Sequence, residues 1–566
     1  MRMAKIGLLL DEQAAADKWT KQENVFAFYI REVLDHLGIP YQILSNQTDS
    51  LKEMDLLIAG LLNESRQSLD GLLSFVKAGG TVIHLSDSPK LASWAGYKTE
   101  SGGNGYGYTP KDLGHPKPLR FLKTNTWYKG APSGWNAKSG FLVSGSPKGP
   151  VLSELWTVIH SGSGKIVHCQ ADIPYSIVGI QQGIEPIWKD GEPAPDGTAG
   201  IDDGQLKADD SFTLDWSFDR AETETGMNYF SEAHADKWRE VLVHKLAEMA
   251  LEKGLTVPFA GRWPEGIEHI ATISHDSDFN LEESADITLS LLKECEVHST
   301  WCMIEPGYER PLYERIKQEG HELAFHYNAL ELENGLWSEK EFKRQLQDLK
   351  SKADLKTVYT NKNHYTRFEG WGELFEWCEN EGIQVDQSRG PSKKGNIGFL
   401  FGTCLPYYPI AWHTENNRQY NVLELGFLTQ DLNHHALADT SVIDPFLEEV
   451  KRIGGVAHFL FHQLHFLEQP KVSEAFRKLV KTARDRRFEF WTSKQIAIWE
   501  RERRKMKIEG ISDSGEPAVS GTVTGANAVI WVPVPKEAHW HKEAAEIRYG
   551  HLCLKKILSH TQAQTS

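Results

Sequence analysis

Ala271-Thr272-Ile273-Ser274-His275-Asp276-Ser277-Asp278-Phe279-Asn280 decides how this chain is read. Residues 267–273 are mostly apolar and form a short buried strand, and two carboxylates, Asp276 and Asp278, arrive where that strand ends. Acids two residues apart on extended chain share one face and can converge on a single ion or water. That pattern suits a division of labour: one carboxylate holds a metal, and the other stays off it as a base that takes a proton from water. Asp, Ser and Asn also gather at strand-to-helix turns because they satisfy free backbone N–H groups, so the segment alone leaves a capped turn as the alternative.

The rest of the chain decides between them. Its 566 residues, 40% of them hydrophobic, suffice for two to four domains with cores of their own. A net charge of -16 argues against a nucleic-acid backbone or an anionic membrane as the main partner and leaves neutral polar substrates open. The hydrophobic run at the start stops at Asp11 without a small-residue cleavage site, so it reads as a first strand and not a signal peptide. No apolar stretch reaches membrane-spanning length. Six cysteines lie scattered without a C-x-x-C pair, which fits reduced thiols in a cytoplasmic protein.

Residues 1–255 alternate strands (5–10, 41–44, 54–59, 81–85) with helices (24–37, 69–78), the pattern of a parallel sheet with helices on both faces. Strand 81–85 runs into Ser86-Asp87-Ser88-Pro89. This part resembles the flavodoxin-like fold of class I glutamine amidotransferase-like domains, whose nucleophilic cysteine follows such a strand. No cysteine stands here, so the resemblance implies a non-catalytic scaffold. Ser161-Gly162-Ser163-Gly164-Lys165 lacks the first glycine and the final Ser or Thr of a phosphate loop and reads as a turn between two strands. Residues 102–107 read as a loop. The acidic insertion 188–210, with Asp190, Glu192, Asp196, Asp202, Asp203, Asp209 and Asp210 among Gly and Pro, fits no EF-hand spacing and reads as a solvated excursion. A helix over 231–253 closes the region.

Residues 256–508 carry the chemistry. After the acid pair come a helix (285–295), a strand (299–304), a second helix (311–319) and Gly320-His321-Glu322-Leu323-Ala324-Phe325-His326. A zinc-protease reading of His321-Glu322 fails because Phe325 stands where the second histidine belongs. The alternative is a strand over 323–325 that delivers His326 to the end where Asp276 and Asp278 lie, and imidazole with carboxylate is a common first-row metal set.

The order of the 272–278, 299–303 and 320–326 segments resembles the NodB-type polysaccharide deacetylases, carbohydrate esterase family 4, over roughly residues 267–499. The resemblance implies a distorted (β/α) barrel, Asp276 as general base and Asp278 as metal ligand. The family's second motif supplies two histidines four residues apart, whereas here Leu330 follows His326 at that distance. The best replacement lies in Thr360-Asn361-Lys362-Asn363-His364-Tyr365, where the family has Arg-x-Pro-Tyr. His364 at a strand end would complete a facial set with Asp278 and His326, leaving a position open for water. Lys362 takes the arginine's role of orienting Asp276, and Tyr365 joins the substrate-facing group. Asp386 and Arg389, where another strand ends in polar residues, are candidates for supporting the ligands or binding substrate. The strand ending at His462-Gln463-Leu464-His465 implies a general acid, His462 first and His465 second. Residues 509–566, with alternating valines and glycine turns, read as a small β-rich extension.

The expectation is therefore a hydrolase dependent on a divalent metal, zinc as first choice, acting on the N-acetyl group of a carbohydrate. The competing reading is a carbohydrate-binding or scaffolding protein on a decayed deacetylase barrel. The sequence names neither the sugar nor the oligomeric state.

Overall fold

A computed structural model describes all residues except 45–47, 130–138, 202–203, 435–436, 513–514, 522, 524–525, 537–544 and 559–566. Asp202 and Asp203 of the acidic insertion lie outside the described residues. The architecture is mixed α/β with two parallel sheets.

The first sheet is built from β1 (Ile6–Leu10), β2 (Gln42–Leu44), β3 (Leu56–Leu61), β4 (Thr81–His84), β5 (Trp156–Ser161) and β6 (Gly164–Cys169), in the order β5-β6-β4-β3-β1-β2. Every pairing is parallel except β5 with β6, which the 161–165 turn joins as a hairpin. β1, β3 and β4 are buried along their whole length, as strands covered on both faces must be. The turn after β4 holds a closed polar cluster. His84 Nε2 meets Ser88 Oγ at 2.9 Å, and His84 Nδ1 meets His168 Nδ1 at 2.8 Å. Residues 102–107 are not a loop: strands Lys98–Gly102 and Gly105–Tyr108 take them, and a Cβ at Gly105 would lie 2.0 Å from the Val143 carbonyl oxygen.

Helix α1 (His234–Glu252) connects the halves and is buried almost throughout despite its charges. Each charge has a partner: Lys237 meets Glu232 and Glu449, Glu240 meets His115, and Asp236 accepts from Thr403 and the Cys404 N–H. Burial at this charge density is tolerable only with such pairing.

The second sheet comprises β7 (His269–Asp276), β8 (Thr300–Met303), β9 (Glu322–Tyr327), β10 (Thr360–Asn363), β11 (Val385–Asp386), β12 (Leu423–Glu424), β13 (Thr429–Gln430), β14 (Val456–His462) and β15 (Phe488–Phe490). Eight of them run in the order β12-β11-β10-β9-β8-β7-β14-β13, all parallel, with β15 beside the start of β7. This is a curled, open (β/α) barrel. Parallel pairing puts the C-terminal ends of β7, β9, β10 and β14 at one mouth, where an open α/β architecture keeps its ligand site. β16 (Ala528–Pro533), β17 (Ala545–Arg548) and β18 (His551–Leu558) form an antiparallel sheet in the extension. Phe259–Ala260 joins it through β16, so this sheet straddles the expected 508/509 boundary. Among the described residues no helix is long and apolar enough to cross a membrane.

The acidic insertion is not the solvated excursion expected. Ile187 and Gly370 exchange both backbone hydrogen bonds, 2.8 and 2.9 Å, and Lys207 bridges to Arg367. Asp209 is buried and accepts from Ser392 and Asn396. Asp209 satisfies a barrel loop, which composition alone does not reveal, while Glu192 and Asp196 are exposed as expected.

Candidate metal centre

Asp276 ends β7, and Asp278 follows it on a turn with φ +29°, a left-handed value that an L-residue seldom adopts. Strain of that kind, of order 1–3 kcal/mol, persists only where surrounding structure over-determines it. His326 comes from β9, and His364 follows β10 directly. Asp278 Oδ1 lies 3.5 Å from His326 Nε2 and 3.5 Å from His364 Nδ1, and the two ring nitrogens are 3.3 Å apart. Donor atoms bonded at about 2.0–2.1 Å to one tetrahedral ion stand roughly 3.3–3.5 Å from one another.

The surroundings fix which nitrogens carry lone pairs. His326 Nδ1 lies 3.0 Å from the Lys362 carbonyl oxygen, which can only accept, so Nδ1 carries the hydrogen and Nε2 faces the cluster bare. His364 Nε2 sits 3.3 Å from the Glu333 carboxylate, which orients it as donor and leaves Nδ1 bare. Two lone pairs and a carboxylate thus converge, and Asp278 Oδ1 is buried without a hydrogen-bond partner. Histidines oriented by a carbonyl and a carboxylate behind them fit a divalent ion. Burial works against ionisation of Asp278, the charge of His462 is the largest influence opposing it, and the carboxyl lies well below its ordinary range.

Asp276 is buried and takes a hydrogen bond of 3.0 Å from Lys362 Nζ. Lys362 also donates to Ser274 Oγ at 2.7 Å, Ser274 meets His458 Nε2 at 2.8 Å, and His458 Nδ1 donates to the Leu425 carbonyl at 3.1 Å. The carbonyl at the far end fixes every hydrogen in this chain and leaves the ammonium facing Asp276. Burial pushes the Asp276 carboxyl up, and the surrounding charges, Lys362 foremost, together bring it below its ordinary value.

His462 ends β14. Its Nδ1 hydrogen-bonds the Asp431 carboxylate, its backbone N–H donates to the same group at 2.8 Å, and its Nε2 points into the mouth, 3.6 Å from Asp278 Oδ2. Burial disfavours the imidazolium, but Asp431 and Asp278 outweigh it and push the pKa up to about 10. His465 Nδ1 lies 3.0 Å from Asp431 Oδ2. Among the described residues, Asp431, His462 and His465 form a second group within cation-binding distance. The direct His462–Asp431 hydrogen bond marks this group as a proton-holding pair.

Asp276, Asp278, Lys362, His364, Asp431, His462 and His465 line a cavity of about 380 Å³ together with Phe279, Tyr365, Lys207, Lys393 and Lys394, and His326 lies behind it. Tyr365 is 51% exposed and stands at the rim. Leu330 is buried and does not line the cavity, whereas His364 does. His321 sits at the other end of β9 against Ser299. Asp386 and Arg389 do not line the cavity either. Asp386 supports the segment bearing His364 through Asn361 and Ser388, and Arg389 reaches back to the Gln181 carbonyl and Ser211. Sequence reading missed Asp431, Glu333 and the Ser274–His458 relay. Asp431 carried a usable signal, an acid where apolar residues 422–428 give way, the same pattern that marks Asp276.

No protein-family profile matches the chain, and no curated protein matches it. Similar solved structures include one described as a polysaccharide deacetylase from Mycobacterium smegmatis, at 15% identity over 43% of this chain and 93% of that one, TM-score 0.32. Another, from Bordetella bronchiseptica and described as a polysaccharide deacetylase involved in O-antigen biosynthesis, is 14% identical over 40% and 93% of the two chains, TM-score 0.27. A CE4 family pseudoenzyme from Bacillus anthracis is 12% identical over 41% and 66%, TM-score 0.24. Likeness this distant assigns no chemistry, which rests on the geometry above.

Proposed function

We propose that this chain is a metal-dependent hydrolase that removes the N-acetyl group from an amino sugar or polysaccharide. The observation that carries the metal half is the 3.3–3.5 Å triangle of Asp278, His326 and His364, with both imidazole lone pairs turned inward. A divalent ion held there, zinc by its imidazole-rich donor set, supplies Lewis acidity beside the acetyl carbonyl. Asp276 takes the proton of the attacking water, and Lys362 keeps that carboxylate ionised and aimed. His462 delivers its Nε2 proton to the departing amine, with Asp431 behind it fixing the ring. The amino-sugar half rests on the sequence resemblance and on a cavity whose wall presents Tyr365 and Phe279 at a polar floor. Residues 1–255 enter as a scaffold, and we assign the chain to the cytoplasm.

The test measures metal content and acetate release in one preparation, with chitin oligomers as substrate. About one zinc per chain, lost in Asp278→Ala, together with acetate release that falls on the order of 10²–10⁴-fold in metal-loaded Asp276→Asn, is the expected outcome. Bound sugar with no acetate release from any acetylated amino sugar would instead favour a binding protein.

A further inference from the structure

His364 is a ligand on an awkward piece of backbone. The two residues after it, Tyr365 and Thr366, have φ +54° and +53°, so the turn that presents the ring lies in the left-handed region twice in succession. Neither residue is of a type that favours it. Within the turn only short-range bonds act: Asn363 Nδ2 donates to the Arg367 carbonyl, and the Arg367 N–H donates to the His364 carbonyl. The restraint comes from far away in sequence. Phe368 N–H donates to the Leu206 carbonyl at 3.1 Å, Lys207 bridges to Arg367, and Ile187 and Gly370 exchange two further bonds. Lys207 Nζ lies over the Tyr365 ring, 5.6 Å from its centre. Asp210 ties this strap together, accepting from Lys207 N–H at 2.7 Å and Gly191 N–H at 3.0 Å.

We propose that residues 206–210 of the N-terminal half are a positioning strap for His364, so that the half without chemistry of its own completes the metal centre. The inference rests on His364 being a ligand, as read above. It also gives a physical sense to the exchange of Leu330 for His364. A histidine on a strained turn holds an ion only where something clamps the turn, and the insertion supplies the clamp. Asp210 does not line the cavity, and Lys207 lines it beside the Tyr365 ring. They act through the turn.

The experiment measures zinc affinity of the full chain by competition with a chromogenic chelator, with circular dichroism to confirm the fold. Asp210→Ala is expected to weaken zinc binding by roughly 10–100-fold, the range seen when groups supporting a ligand are removed. Asp210→Asn, which keeps one acceptor oxygen and loses the other of the two bonds, is expected to fall between the parent and Asp210→Ala. Lys207→Ala leaves the backbone bonds in place and is expected to cost about two- to five-fold, the scale of an exposed cation–π contact. Amide exchange in residues 363–370 should quicken in Asp210→Ala while β7 and β9 are unchanged. Parental zinc affinity in folded Asp210→Ala, with His364→Ala strongly weakened, would overturn the strap and leave the metal centre standing. Parental affinity in His364→Ala would overturn both.

Discussion

Lys362→Met removes one charge from the catalytic cavity and little volume. Lys362 is fully buried, and its ammonium lies 3.0 Å from Asp276 Oδ1. Two unit charges at that distance attract by about 5 kcal/mol at an effective dielectric of roughly 20, equivalent to about four pKa units. Water that enters beside the shorter side chain screens part of this, so an upward shift of about two to four units is expected for the Asp276 carboxyl. The direction follows from the balance at the site: burial already pushes this group up, and the Lys362 charge is the largest influence opposing it. A base whose pKa rises is protonated over a wider range, so activity is lost from the acid side. The assay is the pH profile of kcat/KM for acetate release by the metal-loaded, folded variant between about pH 5 and 10. Its acid limb should move up by about two units or more while the basic limb stays. An acid limb that does not move would refute the assignment of Lys362 as the group that keeps the base ionised.

Three further outcomes follow from the geometry. His326→Ala and His364→Ala should weaken zinc binding to a similar extent, each by more than 100-fold, while His321→Ala, at the far end of β9, leaves chelator competition unchanged. Asp431→Asn should lower kcat with little change in KM and no change in zinc content, because it frees the ring of His462 without touching the ion's ligands. Burial lowers His168 to about 4 and both His275 and His458 to about 3, against an unfolded value near 6.5. Their contribution is complete above about pH 6.5 and is lost as pH falls, because unfolding then binds protons the native state excludes. Urea melts should lose about 4 kcal/mol per pH unit between roughly pH 6 and 4 for the three together, and a flat profile over that range would contradict their neutral burial.

What could be read from the sequence follows strand ends. Asp276, His326 and His462 each stand where an apolar run stops, and parallel pairing makes strand ends coincide in space, so residues nearly 200 positions apart could be grouped on local patterns alone, whereas His364, after the polar strand 360–363, was legible through the family resemblance. Lys362 was legible only through the resemblance, as the residue in the arginine's place, and its ammonium meets Asp276 directly. Parity placed His321 and His326 on opposite faces. Reading failed where partners lie outside one strand-helix unit. Arg389 ends a strand as the ligands do, but its guanidinium meets Ser211 and the Gln181 carbonyl, groups on a different sheet's loops. The insertion looked solvated because acid-rich Gly and Pro segments usually are, and nothing in composition distinguishes an acid facing water from Asp209 capping a distant Ser392.

The same network bears on why the two halves share one chain. At the join, Arg504 grips Glu32 through two bonds of 2.6 and 2.9 Å, and Arg503 donates to the His36 carbonyl; both arginines also bond Glu500. All four side chains are buried or nearly so. Breaking one buried ion pair by removing a partner costs about 3–5 kcal/mol, against a total stability of about 5–15 kcal/mol for a typical domain. A barrel cut at 255/256 would lose Glu32 from Arg504, Lys237 from Glu449, Asp236 from Thr403, and the insertion from the His364 turn. Losses of that size at several places exceed what the barrel core has to spare. Residues 256–566 expressed alone are therefore expected not to fold, and a cooperative, native-like melt of that fragment by circular dichroism would contradict this reading.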